Sequence, residues 1–334
     1  MILMKPVIRH SSFAVGVLLL LVPALLLGAE LPIADHPLRR IRSETLVYRV
    51  RAWKGVRALA MNLGTATFTL SRDDERASTG SARPEPVEGR GERRLVFRAV
   101  AEGSAMGYVL ESTMTARLRD SDYRMREADS VRLKPSYKAR RMRFHRLGAD
   151  YLKHKHCTAP LLCHNREHLV RNAEGKLVHC QDCEDPKHYV WHLAERHRYT
   201  GAAYDLLAAV YLARGFPIEV GGPAQVLRVG YTNEMWDIEF KAVKEETLSV
   251  PAGEIRCLKI AMTTKPANEY TRKHADDFEG PFGLHGQINL YVDKETKQPV
   301  LVRGKVDAGT TFEVEVALSD RKVEHFPPRE GGGQ

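Results

Sequence analysis

The sequence predicts a mainly β fold: a curved antiparallel sheet, or half-open β-barrel, with one packed helix and a Cys/His-rich insertion. Three observations predict it. The last third of the chain is a succession of segments that alternate apolar and polar residues, the period of a half-buried strand. One segment near residue 206 has the period of a helix instead. Four of the five cysteines fall between residues 152 and 198, among many histidines.

Residues 1–29 begin with Lys5 and Arg9, continue in an uncharged apolar run and end in Gly28-Ala29. A basic start, an apolar centre and small residues make a signal peptide, or an N-terminal anchor if the segment stays uncut. Both place the body outside the cytoplasm, in the periplasm or cell envelope. Residues 40–322 are expected to form a single β-rich domain. Its opening strands are 44–50 and 65–70, rich in Val, Tyr, Phe and Thr. Residues 72–94 are charged and rich in Gly, Pro, Ser and Arg with no apolar period, which predicts a disordered insertion. A surface loop tolerates such an insertion at low entropic cost. Strand character returns at 94–102 and 108–118, whereas the scattered carboxylates of 120–130 read as a solvated turn. In 140–155, Met142 and Phe144 share one face and Arg141, Arg143 and His145 the other, a half-buried strand with a basic outer face.

The Cys/His-rich insertion, 152–198, follows with the spacing Cys157-x5-Cys163-x16-Cys180-x2-Cys183. Four thiolates, or three with a histidine, satisfy tetrahedral Zn2+, and His164, His168 and His179 are substitute ligands. An oxidising compartment favours the other state of the same residues, two disulfides. Both states remain open from the sequence. Catalytic zinc is not expected: in His164-Asn-Arg-Glu-His168 the glutamate precedes the second histidine rather than following the first. Cys257, alone in its segment, reads as a small buried hydrophobe.

Ala203, Leu206, Leu207, Val210 and Tyr211 then make one stripe of a helix, with Thr200 or Asp205 as its cap and Gly215 and Pro217 ending it. Trp236, Ile238 and Phe240 alternate with Asp237, Glu239 and Lys241, an antiparallel strand with one wet face. A turn at Pro251-Ala252-Gly253 divides 245–262 into two strands, a hairpin covers 287–306 with its turn at 294–297, and 311–318 is a last strand. Residues 323–334 read as a flexible tail. Trp236, Phe240, Tyr291 and Phe312 are expected in the core, and His285 and Asp293 on the surface.

Three stretches carry a family resemblance: 204–221 (helix, Arg, turn), 246–260 (Thr-x-x-Val-Pro-Ala-Gly between strands) and 288–306 (strand, Asp, turn, Pro-Val, strand). They resemble the exported bacterial domain of unknown function 3108, over roughly 44 to 320 apart from the two insertions. The resemblance implies an all-antiparallel curved sheet or half-open barrel with one helix against it. It implies no activity and offers no catalytic residue to carry over.

For function, the chain has no Gly-x-Ser-x-Gly, phosphate loop or paired-carboxylate motif, and no enzyme is expected. The formal charge of +9 is spread along the chain and no nucleic-acid motif accompanies it, so nucleic acid is not an expected partner. A non-enzymatic envelope protein is expected, holding an apolar or lipid-like ligand on its concave sheet. The alternative is a zinc-binding protein, structural or buffering, built on the Cys/His cluster.

Overall fold

The computed structural model describes residues 35–74, 93–105, 108–134, 136–156, 169–171, 174–179, 189–231, 233–267, 274, 277–280, 283–307 and 310–327. Residues 1–29, read from the sequence as a signal peptide or anchor, lie outside them. Strands β1 (Ile41–Trp53), β2 (Met61–Asp74), β3 (Arg93–Ala105), β4 (Tyr108–Arg119), β5 (Met125–Lys134), β6 (Lys138–His145) and β7 (Gly148–His156) run up and down as neighbours. A separate ribbon joins β8 (Leu169–Arg171) to β9 (Leu177–His179). Strand β10 (Tyr189–Arg198) returns to pair with β7. The short β11 (Tyr204–Asp205) leads into helix α1 (Leu206–Leu212). The second arm is β12 (Gln225–Tyr231), β13 (Glu234–Val250), β14 (Gly253–Pro266), β15 (His285–Asp293), β16 (Pro299–Asp307) and β17 (Thr311–His325).

All but β8 and β9 form one 15-stranded sheet, ordered β10-β7-β6-β5-β4-β3-β2-β1-β17-β16-β15-β14-β13-β12-β11. Every pairing is antiparallel except β11 with β12. The two arms meet where β1 pairs with β17, Leu46 opposite Arg321 and Ala52 opposite Val314.

The sheet is rolled. Helix α1 touches β3 and β4 of one arm and β12 of the other. In a flat sheet β4 and β12 would stand about 40 Å apart at the usual strand spacing, several times the width of a helix. β11 also reaches β5, and Gly230 of β12 lies so close to Met142 of β6 that a β-carbon would overlap its sulfur. The helix is therefore inside the roll. Leu206, Leu207, Ala208, Ala209, Tyr211 and Leu212 are all buried and Val210 is half-buried, which corrects the one-stripe reading: a helix enclosed by sheet buries most of its circumference. Asp205 caps it, accepting hydrogen bonds from the amides of Leu207 (3.2 Å) and Ala208 (2.8 Å). Phe97 of β3 stacks on Tyr211 at 4.4 Å.

Pairing moves several predicted boundaries. β2 runs to Asp74 and β3 starts at Arg93, so both ends of the insertion predicted at 72–94 are sheet. Residues 152–156 and 189–198, assigned to the Cys/His-rich insertion, belong to β7 and β10, with 189–193 opposite 152–156 and 195–198 opposite 148–151. Residues 323–325, assigned to the tail, belong to β17 beside β1. Segment 140–155 is two strands with a turn between them, though the predicted faces of Met142, Phe144, Arg141 and Arg143 hold. Residues 125–130, read as solvated turn, are the start of β5. Asp293 is buried rather than exposed, because its carboxylate accepts from the amides of Glu295 (2.8 Å) and Thr296 (3.0 Å) and so builds the β15–β16 turn.

Candidate functional site

The two ends of the roll differ. At the end where β1 begins, α1 and the chain after it fill the interior. Arg214, just beyond α1, donates to Glu44 of β1 at 2.7 Å, and both side chains are fully buried. Glu44 also accepts from Gln298 at 2.7 Å, whose own amide oxygen accepts from Arg321 at 3.2 Å. His36 donates to the carbonyl of Leu212 at 3.0 Å and accepts from the amide of Leu38 at 3.2 Å. This end is a closed, polar-stitched plug.

At the end where β1 finishes, the inward wall is apolar and incompletely covered. Register places Val50 beside Val316 and Val316 beside Val302, with Val306 opposite Phe312 and Leu110 opposite Gly103. Val50, Leu110, Val302, Val306 and Phe312 pack against the core yet are only half-buried. The rim adds exposed apolar residues from three neighbouring connections: Val56 and Leu59 (60% and 75% exposed) between β1 and β2, Val109 at the start of β4, and Leu133 at the end of β5.

The same inward wall carries cations on β5, β6 and β7. Arg132 is directly opposite Lys138, Arg140 is directly opposite Lys153, and His192 of β10 is opposite Lys153. Lys138 and Arg140 alternate in phase with Met142 and Phe144, the buried face of β6, so the four make a square on the inner side. Among the described residues Arg132 donates only to Ser136, at 3.3 Å and 3.4 Å. The Lys153 ammonium lies 5.5 Å from the Tyr151 ring. Burial, and then the charges of Arg140, Arg132 and Lys153, push the Lys138 ammonium below its ordinary pKa, and Glu279 is the carboxylate that opposes them. Nε of Arg140 and Nε2 of His192 are buried without a hydrogen-bond partner among the described residues.

The outer face of the same strands is charge-balanced. Arg117 bonds Asp129 at 2.8 Å and Glu127 at 3.3 Å. Arg141 bonds Asp129 at 2.6 Å and stacks over Trp191 at 4.4 Å. Arg143 meets Glu127, and Arg196 meets Asp150. His154 packs on Trp191 and bonds the Tyr137 hydroxyl at 2.6 Å.

Of the predicted metal or disulfide residues, Cys157, Cys163, Cys180, Cys183, His164 and His168 lie outside the described residues, and His179 ends β9. The chain that carries them leaves the sheet at His156 and returns at Tyr189, directly opposite it, at the open end. Cys257 is buried, and desolvation pushes its thiol up to about 12. Trp236, Phe240 and Tyr291 are buried as predicted, while Phe312 stands at the open end. Sequence reasoning missed the cation square. The alternation that put Met142 and Phe144 on the inner face, carried back four residues, would have put Lys138 and Arg140 there too.

No curated protein matches the chain. Among solved structures, a β-barrel-like protein of domain of unknown function 1849 from Brucella abortus is similar at 7% identity and TM-score 0.43, covering 85% of this chain and 99% of that one. A candidate lipoprotein from Parabacteroides distasonis is similar at 7% identity and TM-score 0.28, with 86% and 98% covered. A protein with a YmcC-like fold from Bacteroides fragilis is similar at 12% identity and TM-score 0.28, with 85% and 97% covered. The resemblance read from the sequence is found from β10 through β11 and α1 into the second arm: residues 189–317 match the family model described as a protein of unknown function, DUF3108.

Proposed function

We propose that this is a non-enzymatic, exported cell-envelope protein that holds an apolar or lipid-like ligand in the open end of its rolled sheet. The observation that carries this reading is the half-buried apolar wall of Val50, Leu110, Val302, Val306 and Phe312 at the one end that α1 does not fill. Apolar surface left in water forgoes about 25 cal/mol per Å², and a contiguous patch of it marks a binding site more often than chance exposure. The helix occupies the other half of the concave face, so the ligand is confined to the open half.

The test is saturable binding of the neutral probe N-phenyl-1-naphthylamine to the purified full chain, together with mass spectrometry of an organic extract of that protein. Stoichiometric probe binding that is lost in Val50→Glu or Phe312→Glu is the expected result. No saturable binding and no extracted lipid would sink the reading. The alternative, Zn2+ held by the cysteines of the insertion, is separable by one assay. Stoichiometric zinc with all cysteines reactive in denaturant supports it, and a single reactive thiol without metal indicates two disulfides.

A further inference from the structure

We infer that the ligand of the open end bears an acidic head, a carboxylate or a phosphate, and that Arg132, Lys138, Arg140 and Lys153 receive it. This rests on the reading of that end as a ligand site and adds the ligand's chemical class.

The argument starts from pairing. Residues directly opposite in an antiparallel ladder lie about 5 Å apart, and like charges there are destabilising. Here two such pairs are adjacent: Arg132 with Lys138, and Arg140 with Lys153. Sheets ordinarily interleave opposite charges, and these strands do so on their other side, where Glu127, Asp129 and Asp150 neutralise Arg117, Arg141, Arg143 and Arg196. The inner side has no equivalent. Among the described residues none of the four cations makes an ion pair, and Glu279 acts on Lys138 only at longer range. A buried donor adds to this. Nε of Arg140 has no acceptor among the described residues, and an unmade buried hydrogen bond is costly. An anion in the square would supply the missing charge and the missing acceptor, and guanidinium forks match carboxylate and phosphate oxygens in geometry.

Position completes the case. Ser112 of β4 is opposite Arg132, and Leu110 precedes it by two residues on the same inward side. The square is therefore continuous with the apolar wall. An amphiphile with its chain along Leu110, Val50 and Phe312 would carry its head towards Arg132 and Lys138.

Three ligands with one acyl chain separate the possibilities: oleate, 1-oleoyl-lysophosphatidate and 1-oleoylglycerol, each measured below its aggregation concentration by displacement of the neutral probe. Oleate or the lysophosphatidate is expected to bind at least tenfold more tightly than the glycerol ester, and which of the two wins identifies the acid. In Lys138→Gln/Lys153→Gln, which alters two exposed side chains, and separately in Arg140→Gln, that preference should fall at least fivefold while affinity for 1-oleoylglycerol is unchanged. Equal affinity for acidic and neutral ligands, or a preference that survives both variants, overturns the acidic-head assignment and leaves the apolar site standing. Failure of the probe and of all three lipids to bind overturns both.

Discussion

Asp205 and His36 bracket helix α1, and burial perturbs both. The Asp205 carboxyl is pushed up to about 6 by desolvation, against the two amide hydrogen bonds of the cap. Its protonated form is favoured in the folded state, so its contribution to stability is present at low pH and is lost as pH rises from about 4 to about 6. His36 has the opposite sign. Desolvation pushes it down to about 4, so its stabilising neutral form is complete above about 6.5 and is lost as pH falls towards 4. Over pH 4 to 6 the two slopes oppose and flatten the profile. Asp205→Asn keeps an acceptor for the cap and removes one slope. Relative to the parent, this variant should gain stability between pH 4 and pH 7 by about 3 kcal/mol, the free-energy equivalent of roughly two pKa units. Urea denaturation at each pH measures it, and parallel profiles would show that Asp205 does not titrate there. The cap was legible in the sequence, since Asp before an apolar run is a helix start. The perturbed titration was not, because it depends on enclosure by strands far away in sequence.

At the scale of elements, α1 is fixed to the sheet by the buried Glu44–Arg214 pair, with Gln298 and Arg321 extending it into the β15–β16 turn and β17. Removing one buried partner strands the other charge. Glu44→Ala should therefore cost about 3–5 kcal/mol, whereas Glu44→Leu with Arg214→Met should recover most of that loss, since an apolar pair of similar volume is often no less stable than an ion pair. Chemical denaturation of the three proteins decides it, and an additive double variant would refute the coupling. In the second arm β13 and β17 were legible because apolar residues alternate with charged ones around Trp236–Lys241 and Phe312–Val316, and β14 to β16 were legible from their turns, whereas β12 went unread. β5 was misread as turn for a physical reason. Near the open end its inward residues are Ser130 and Arg132 rather than hydrophobes, so the period that announces a strand is absent where the candidate site begins. The ion pairs of Glu127 and Asp129, likewise read as solvated carboxylates, appear only once β4 and β6 stand beside β5.

For the whole molecule, a mainly β fold with one helix was legible from composition and period alone, but the enclosure of that helix was not. Rolling brings β3, β4 and β12 to one helix, and no local pattern encodes it. The candidate site has the same character. Its apolar wall draws on β1, β4, β16 and β17, and its cation square on β5, β6 and β7, so no contiguous motif spells it.

The ladder between β1 and β17 joins residues such as Ile41 and His325 from opposite ends of the chain. Apart from β10 on β7 and β11 on β12, each arm is a series of nearest-neighbour hairpins, and among the described residues the two arms share ladder hydrogen bonds only along this seam. During biosynthesis β1 is the first of the described strands to be made and its final neighbour, β17, is the last of them. Until residues 311–325 emerge, β1 presents an unpaired edge, the kind of template that recruits foreign strands. Closing the seam is the longest-range event in folding, and long-range pairing is slow. A permuted chain opened at Gly201, with residue 327 joined to residue 35 by a short linker, converts the seam into a local hairpin. Phe326 already donates its amide to the carbonyl of Arg40 at 3.0 Å, so the junction is short. That chain should refold several-fold faster to the same native sheet in a stopped-flow experiment. An unchanged rate would mean that the slow step lies within an arm and that a half-made sheet is exposed for less time than the seam implies.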